Sequence, residues 1–163
     1  MPNHISNILI MTTNPIDLNL IVKDGFSFKH VVPEPVGEGH DWYSWRIQQW
    51  GTKWDAYDIE KKDEYVKENG ELVVKYTFDT SWSPPTTWLS AVADTFPNTN
   101  LELYWSDEDI PICGWIKYLD RVKTSGIYTH NEPILARDFL QVHFPWKYEY
   151  YMERMQEGAG ECE

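Results

Sequence analysis

Cysteine is nearly absent: Cys113 and Cys162 are the only two, and Cys162 stands next to the end of the sequence. Two such residues make no disulfide framework, so reduced thiols and a cytoplasmic location are expected. Basic side chains are scarce, 14 against 26 acidic, for a formal charge of −12. With so little positive charge to displace counterions, direct binding to a DNA backbone is disfavoured. No apolar run approaches the ~20 residues of a membrane span. Nor does a basic segment followed by an apolar run mark a secretory leader. The nine glycines are dispersed, which excludes a glycine loop of the kind that cradles phosphates. His4, His30, His40, His130 and His143 are scattered, and no Cys-x-x-Cys or His-x-x-x-His spacing occurs. Neither a metal nor any other cofactor is expected. There is no Gly-x-Ser-x-Gly, and Cys113 beside Gly114 and Trp115 reads as a small buried residue in a strand.

Aromatic side chains are what the chain has in excess. They make up 15% of it, and four of the nine tryptophans fall between Asp41 and Ala56. Trp42, Trp45 and, less perfectly, Trp50 fit one face of a short helix over 41–50. Gly51 is placed to stop that helix. The alternation from Thr52 to Asp58 then predicts a strand. The indoles are expected to pack where helix turns onto sheet.

Elsewhere the pattern is regular. Ile5 to Thr12 is apolar at nearly every residue, which suits a central strand covered on both faces. Asn14 before Pro15 is an N-cap with proline in the first helical turn, opening a helix over 16–22. Residues 26–39 form a mixed segment in which Phe26, Phe28, Val31 and Val32 turn inward and 34–39 is loop. After the predicted strand near 52–60 come a charged stretch and the Asn69-Gly70 turn. Residues 71–80 alternate, with Leu72, Val74, Tyr76 and Phe78 on one side. Residues 86–96 have helical spacing, and 101–105 is the next strand. The order strand, helix, strand, strand, helix, strand is that of the split βαβ fold. Beyond it, 112–119 reads as a further strand. Thr124-Ser125-Gly126 reads as a turn with 127–129 pairing back, 132–142 as a helix with Leu135, Phe139 and Val142 inward, and 145–156 as another. A single domain over 1–157 and a disordered tail at 158–163 are expected.

The string Trp-Gly-Thr-Lys-Trp-Asp-Ala at 50–56, preceded by Trp42-Tyr43-Ser44-Trp45-Arg46, resembles the YubB-type ferredoxin-like domain family found in phages and on conjugative plasmids. Pro2-Asn3-His4-Ile5-Ser6-Asn7 and Pro33-Glu34-Pro35 are similar to its pattern as well. The likeness covers about the first sixty residues well and the rest through the order of elements. It implies an α+β fold, an antiparallel ferredoxin-like sheet with an inserted helix at about 41–50 and an extra C-terminal strand and helices. It also implies a mobile-element origin, with no established activity attached.

Two sets of residues are candidates for function. Trp42, Trp45, Arg46, Trp50, Lys53, Trp54 and Asp55 could wall a pocket that stacks a nucleobase and offers it a basic contact. The same composition describes a packed helix–sheet junction, with Asp55 paired to Arg46. The acidic run Asp107, Glu108 and Asp109 could meet a basic partner, or be a solvated turn. Trp82, Trp105, Trp115 and Tyr118 form a second aromatic set that could face a partner.

The reading that follows is a non-enzymatic accessory protein of a phage or plasmid. It would bind and inhibit a host protein, such as a defence or nucleic-acid-handling component, through an acidic, aromatic-rich surface. Binding or sequestering of a small nucleotide signal by the 42–55 region is the second expectation. Catalysis by Asp55 and neighbouring acids is the third. The oligomeric state is left open.

Overall fold

The apolar run near the start of the chain becomes the middle of a sheet, as burial on both faces requires. The computed structural model describes residues 3–160. It contains strands β1 (His4–Thr13), β2 (Tyr57–Val66), β3 (Leu72–Ser81), β4 (Asn100–Asp107), β5 (Cys113–Leu119) and β6 (Val122–Tyr128). The helices are α1 (Pro15–Val22), α2 (Trp42–Gln49), α3 (Thr86–Thr95), α4 (Pro133–His143) and α5 (Pro145–Gly160). All six strands join one antiparallel sheet in the order β2-β3-β1-β4-β5-β6. The first four strands with α1 and α3 are the expected split βαβ core, and β5 and β6 extend the sheet at one side.

Register assigns every side chain to a face. Leu9 lies opposite both Tyr76 and Leu103, and Leu103 lies opposite Ile116. Successive residues point to opposite faces, so these rows define one face, covered by α1, α3 and the segment 26–50. Its core includes Trp50, Trp88, Phe28 and Phe78, all essentially inaccessible to water. The opposite face carries Ile8, Tyr104 and Cys113, covered by Ala136, Phe139 and Leu140 of α4 and by Phe144 at the α4–α5 corner.

Local chemistry explains the elements. The Asn14 side chain accepts hydrogen bonds from the amides of Ile16 and Asp17 and caps α1. Asp41 caps α2 through the amide of Ser44. Gly51 ends that helix with φ +81, and its amide donates to the Arg46 carbonyl.

Four expectations are corrected. Residues 52–56 are not a strand; β2 begins at Tyr57. The side chain of Thr52 and the amide of Lys53 both donate to the Ser81 carbonyl, and Asp55 turns away to bind Phe28, so the segment is tied across the sheet end. The hairpin after β5 turns at Asp120-Arg121, both with positive φ, and the expected turn at 124–126 lies within β6. In α4 the inward residues are Ala136, Phe139 and Leu140, while Leu135 and Val142 are exposed. Helix α5 runs to Gly160, past the point where a tail was expected, and 161–163 with Cys162 lie outside the described residues.

Candidate functional site

The tryptophan segment grades from core to solvent. Trp50 is wholly buried, and its indole Nε1 donates to the Val32 carbonyl at 3.0 Å. Trp45 is half-buried and meets Trp50 edge to face at 5.4 Å. Trp42 is 43% exposed. Arg46 lies between Trp42 and Trp50, its guanidinium carbon 5.0 Å and 5.4 Å from the two ring centroids. Its partner is Glu34, not Asp55: Nε donates to one carboxylate oxygen at 2.9 Å and a terminal nitrogen to the other at 2.8 Å. This fork holds the Glu34 carboxyl below the usual range, outweighing its burial.

Asp55 has a different task. Its carboxylate accepts from Ser27 Oγ at 2.6 Å and from the amides of Phe28 and Ala56, both at 2.8 Å. It thereby fastens the segment bearing Phe28 to the start of β2. Lys53 rests over Trp54, 5.2 Å from the ring centroid, and Trp54 is 36% exposed. Trp42, Trp45, Arg46 and Trp50 thus pack together and Asp55 joins them through Phe28, while Lys53 and Trp54 pair with each other and Trp54 meets Tyr57. Trp50 and Asp55 serve the packing there, and Trp42 and Trp54 face water.

The acidic run closes the β4–β5 loop. Asp107 accepts from Asn3 and from the amide of Asp109, and Glu108 accepts from the amide of His4 at 3.0 Å. Two of its three carboxylates are therefore engaged in tying the first strand to this loop. The second aromatic set splits up: Trp105 and Tyr118 are buried beneath the α1–α3 layer, Trp115 lies on the opposite face, and Trp82 is exposed.

A cavity of about 550 Å³ lies on the other face of the sheet, between β1–β3 and the α4–α5 corner. Its polar walls are Asp58 and Lys62 from β2, Lys75, Thr77 and Asp79 from β3, and His143, with the exposed Trp146 at its edge. Burial raises the Asp79 carboxyl above its usual value, opposed by a hydrogen bond from Ser6. His143 stacks on Tyr104 with centroids 4.0 Å apart. Burial, then Lys117 and Lys75, lowers its pKa, so the imidazole is neutral at pH 7. Beside it a smaller hollow of about 390 Å³ is lined by Tyr104, Trp115, Lys117 and His143. There Glu102 accepts from Tyr104 at 2.7 Å and pairs with Lys117 at 2.9 Å.

Lys147 is half-buried nearby. Its Nζ donates to the Ser106 and Asp107 carbonyls at 2.9 and 3.1 Å, and burial lowers its pKa against the pull of Asp79 and Asp107. Sequence reasoning missed this whole face. Lys75, Thr77 and Asp79 do alternate on one side of β3, but that pattern equally fits a side open to water. The covering layer comes from helices more than fifty residues further on.

Among known families, one described as the ferredoxin-like domain in Api92-like protein matches residues 49–139. The chain belongs to this family. The match runs from the last residue of α2 through β2–β6 and into α4, so it takes in Lys62, Lys75 and Asp79 but not β1, His143 or Trp146. Neither the curated proteins nor the solved structures give a match. Among the described residues, no helix is long and apolar enough to cross a membrane.

Proposed function

We propose that this chain is a non-enzymatic accessory protein of a phage or plasmid that binds and inhibits a host protein through the outer face of α2. The observation that carries the reading is the exposure of that helix. None of its eight residues is buried, yet it presents Trp42, Tyr43 and Ile47 at 43, 49 and 37% exposure. Trp42 and Tyr43 touch edge to face at 5.8 Å, and Ile47 stands one turn beyond Tyr43. Large rings kept in water are the usual anchors of protein interfaces.

The helix is also held ready. Arg46 and Glu34 fix its inner side, and Trp45 packs on the buried Trp50. A rigid face loses little conformational freedom on docking. The surroundings are acidic, with Glu38 and Asp41 exposed close in sequence, so the partner is an apolar groove with a basic rim. The phage or plasmid origin rests on the likeness of the 42–56 string to the YubB-type family. A host defence or nucleic-acid-handling protein, built with a basic groove, is the class of target this implies.

The test is capture from bacterial lysate with a photo-crosslinking residue at position 43. A single host protein crosslinked from that position, released by salt, and lost with the Trp42→Ala/Tyr43→Ala/Ile47→Ala variant supports the reading. A captured protein that the triple variant retains defeats it.

A further inference from the structure

The second cavity offers a site of a different kind, independent of the α2 face. Its floor is ordered by register into rows running across the sheet. Asp79 lies beside Ser6, and Ser6 beside Ser106. Thr77 lies beside Ile8, and Ile8 beside Tyr104. Lys75 lies beside Ile10, and Ile10 beside Glu102. Lys75, Thr77 and Asp79 point to the same face at two-residue steps, so the cavity has a cationic end and an anionic end, with Lys75 and Asp79 about 13 Å apart at their Cα atoms.

The helices follow the same polarity. The start of α5 lies toward the acidic end, because Lys147 reaches the carbonyls of Ser106 and Asp107. Trp146, a residue 55% exposed, precedes Lys147 and borders the cavity. At the other end Lys62 joins Lys75 on the rim. Lys62 is paired with Glu60, as Lys61 is with Glu64 and Lys117 with Glu102, whereas Lys75 makes no ion pair among the described residues. Lys23, Lys53, Lys123 and Lys147 have no ion pair there either, and Asp63 is the register partner of Lys75. What marks Lys75 is its place: with Lys62 it lines the end of the cavity away from Asp58 and Asp79.

We propose that this cavity binds a nucleoside monophosphate whose base carries an exocyclic amino group. The phosphate sits at Lys75 and Lys62. The base lies against Trp146, and its amino group donates to the Asp79 carboxylate. An indole beside a carboxylate suits a planar ring with donors on its edge. A lysine suits a phosphate as a point charge. The volume lies within the range of small-molecule sites, ~300–1,000 Å³. Asp58, on the same rim, adds to the negative end and disfavours a second phosphate there.

Isothermal titration of the full chain with AMP, IMP, adenosine and inorganic phosphate tests this. AMP should bind, and both IMP, which has a carbonyl where AMP has the amino group, and adenosine should bind at least tenfold more weakly. Lys75→Met should bring AMP down to the level of adenosine, and Lys75→Arg should restore it. Asp79→Asn should shrink the AMP-to-IMP ratio severalfold. Trp146→Phe should keep binding that Trp146→Ala loses. Circular dichroism and melting of each variant confirm that it is folded. No heat from AMP up to millimolar concentration, equal binding of AMP and IMP, or a folded Lys75→Met variant that still prefers AMP to adenosine would each overturn the proposal.

Discussion

Trp105 lies over Gly114, its register partner on β5, so closely that a Cβ at Gly114 would stand 2.7 Å from the indole ring and 2.6 Å from the Gly126 carbonyl oxygen. Trp115 repeats the arrangement over Gly126 on the opposite face, with a Cβ there meeting Nε1 at 2.8 Å. Two glycines thus clear room for two indoles where the added strands join the core. Real Cβ contacts do not come that close, so alanine forces the strands or rings apart. Gly114→Ala should cost about 1–3 kcal/mol and Gly126→Ala less, since β6 is an edge strand. Urea unfolding followed by tryptophan fluorescence measures both, and wild-type midpoints in both variants would refute the packing account.

His143 gives the protein a pH-dependent stability with a defined sign. Its pKa in the folded chain is below the ordinary 6.5, first from burial and then from Lys117 and Lys75, with Glu102 pulling the other way. Between the folded value and 6.5 the unfolded chain binds more protons than the folded one. Stability from this group is therefore complete above about 6.5 and is lost as pH falls toward the folded value. Melting temperatures between pH 7.5 and 5 should decline more steeply for the wild type than for His143→Gln. Parallel curves would place His143 outside the titration.

Asp55 was a catalytic candidate on sequence grounds, and its hydrogen bonds make a firmer prediction. Three donors converge on one carboxylate: Ser27 Oγ and the amides of Phe28 and Ala56. Asp55→Ala leaves them unpaired at a half-buried position, and each such loss costs about 1–3 kcal/mol. Asp55→Asn keeps an acceptor oxygen for the amides and offers Ser27 Oγ a donor, so it should retain most of the stability. Chemical denaturation of the two variants separates these cases, and an unchanged Asp55→Ala would remove the structural role.

How far the sequence could be read depends on where each signal originates. The split βαβ order was legible because the Asn14-Pro15 cap, the Asn69-Gly70 turn and the alternation in β3 are local. The strand expected at 52–58 failed because alternation there competes with Asp55 and Thr52, whose partners, Phe28 and Ser81, are more than twenty-five residues away. Gly126 reads as a turn residue until Trp115 is seen to need its missing side chain. The indoles of 42–54 were legible as a cluster, but not which of them faces water. That depends on Val32 accepting from Trp50 and on Glu34 holding Arg46. The polar side of β3 was visible, and the corner of α4 and α5 that turns it into a cavity was not.

The Arg46–Glu34 fork should be what keeps α2 in place, and a double-mutant cycle can isolate it. The Glu34 side chain is 13% exposed and that of Arg46 22%, so both ends are shielded but not sealed. Removing Arg46 strands a carboxylate whose next cationic neighbour, Lys29, is 3.9 Å away. Removing Glu34 leaves a guanidinium still flanked by two indoles. Arg46→Ala should therefore cost more than Glu34→Ala, with a coupling of about 1–3 kcal/mol at pH 7. Arg46→Lys should recover only part of it, because an ammonium cannot make the fork. The Glu34 pKa is held below its ordinary 4.5 by Arg46. The coupling is therefore fully present above that pH and fades as pH falls through the lowered value. Urea unfolding of the four proteins at pH 7 and pH 3 reads both effects, and a coupling near zero at pH 7 would mean that the helix is positioned by Trp45 and Trp50 alone.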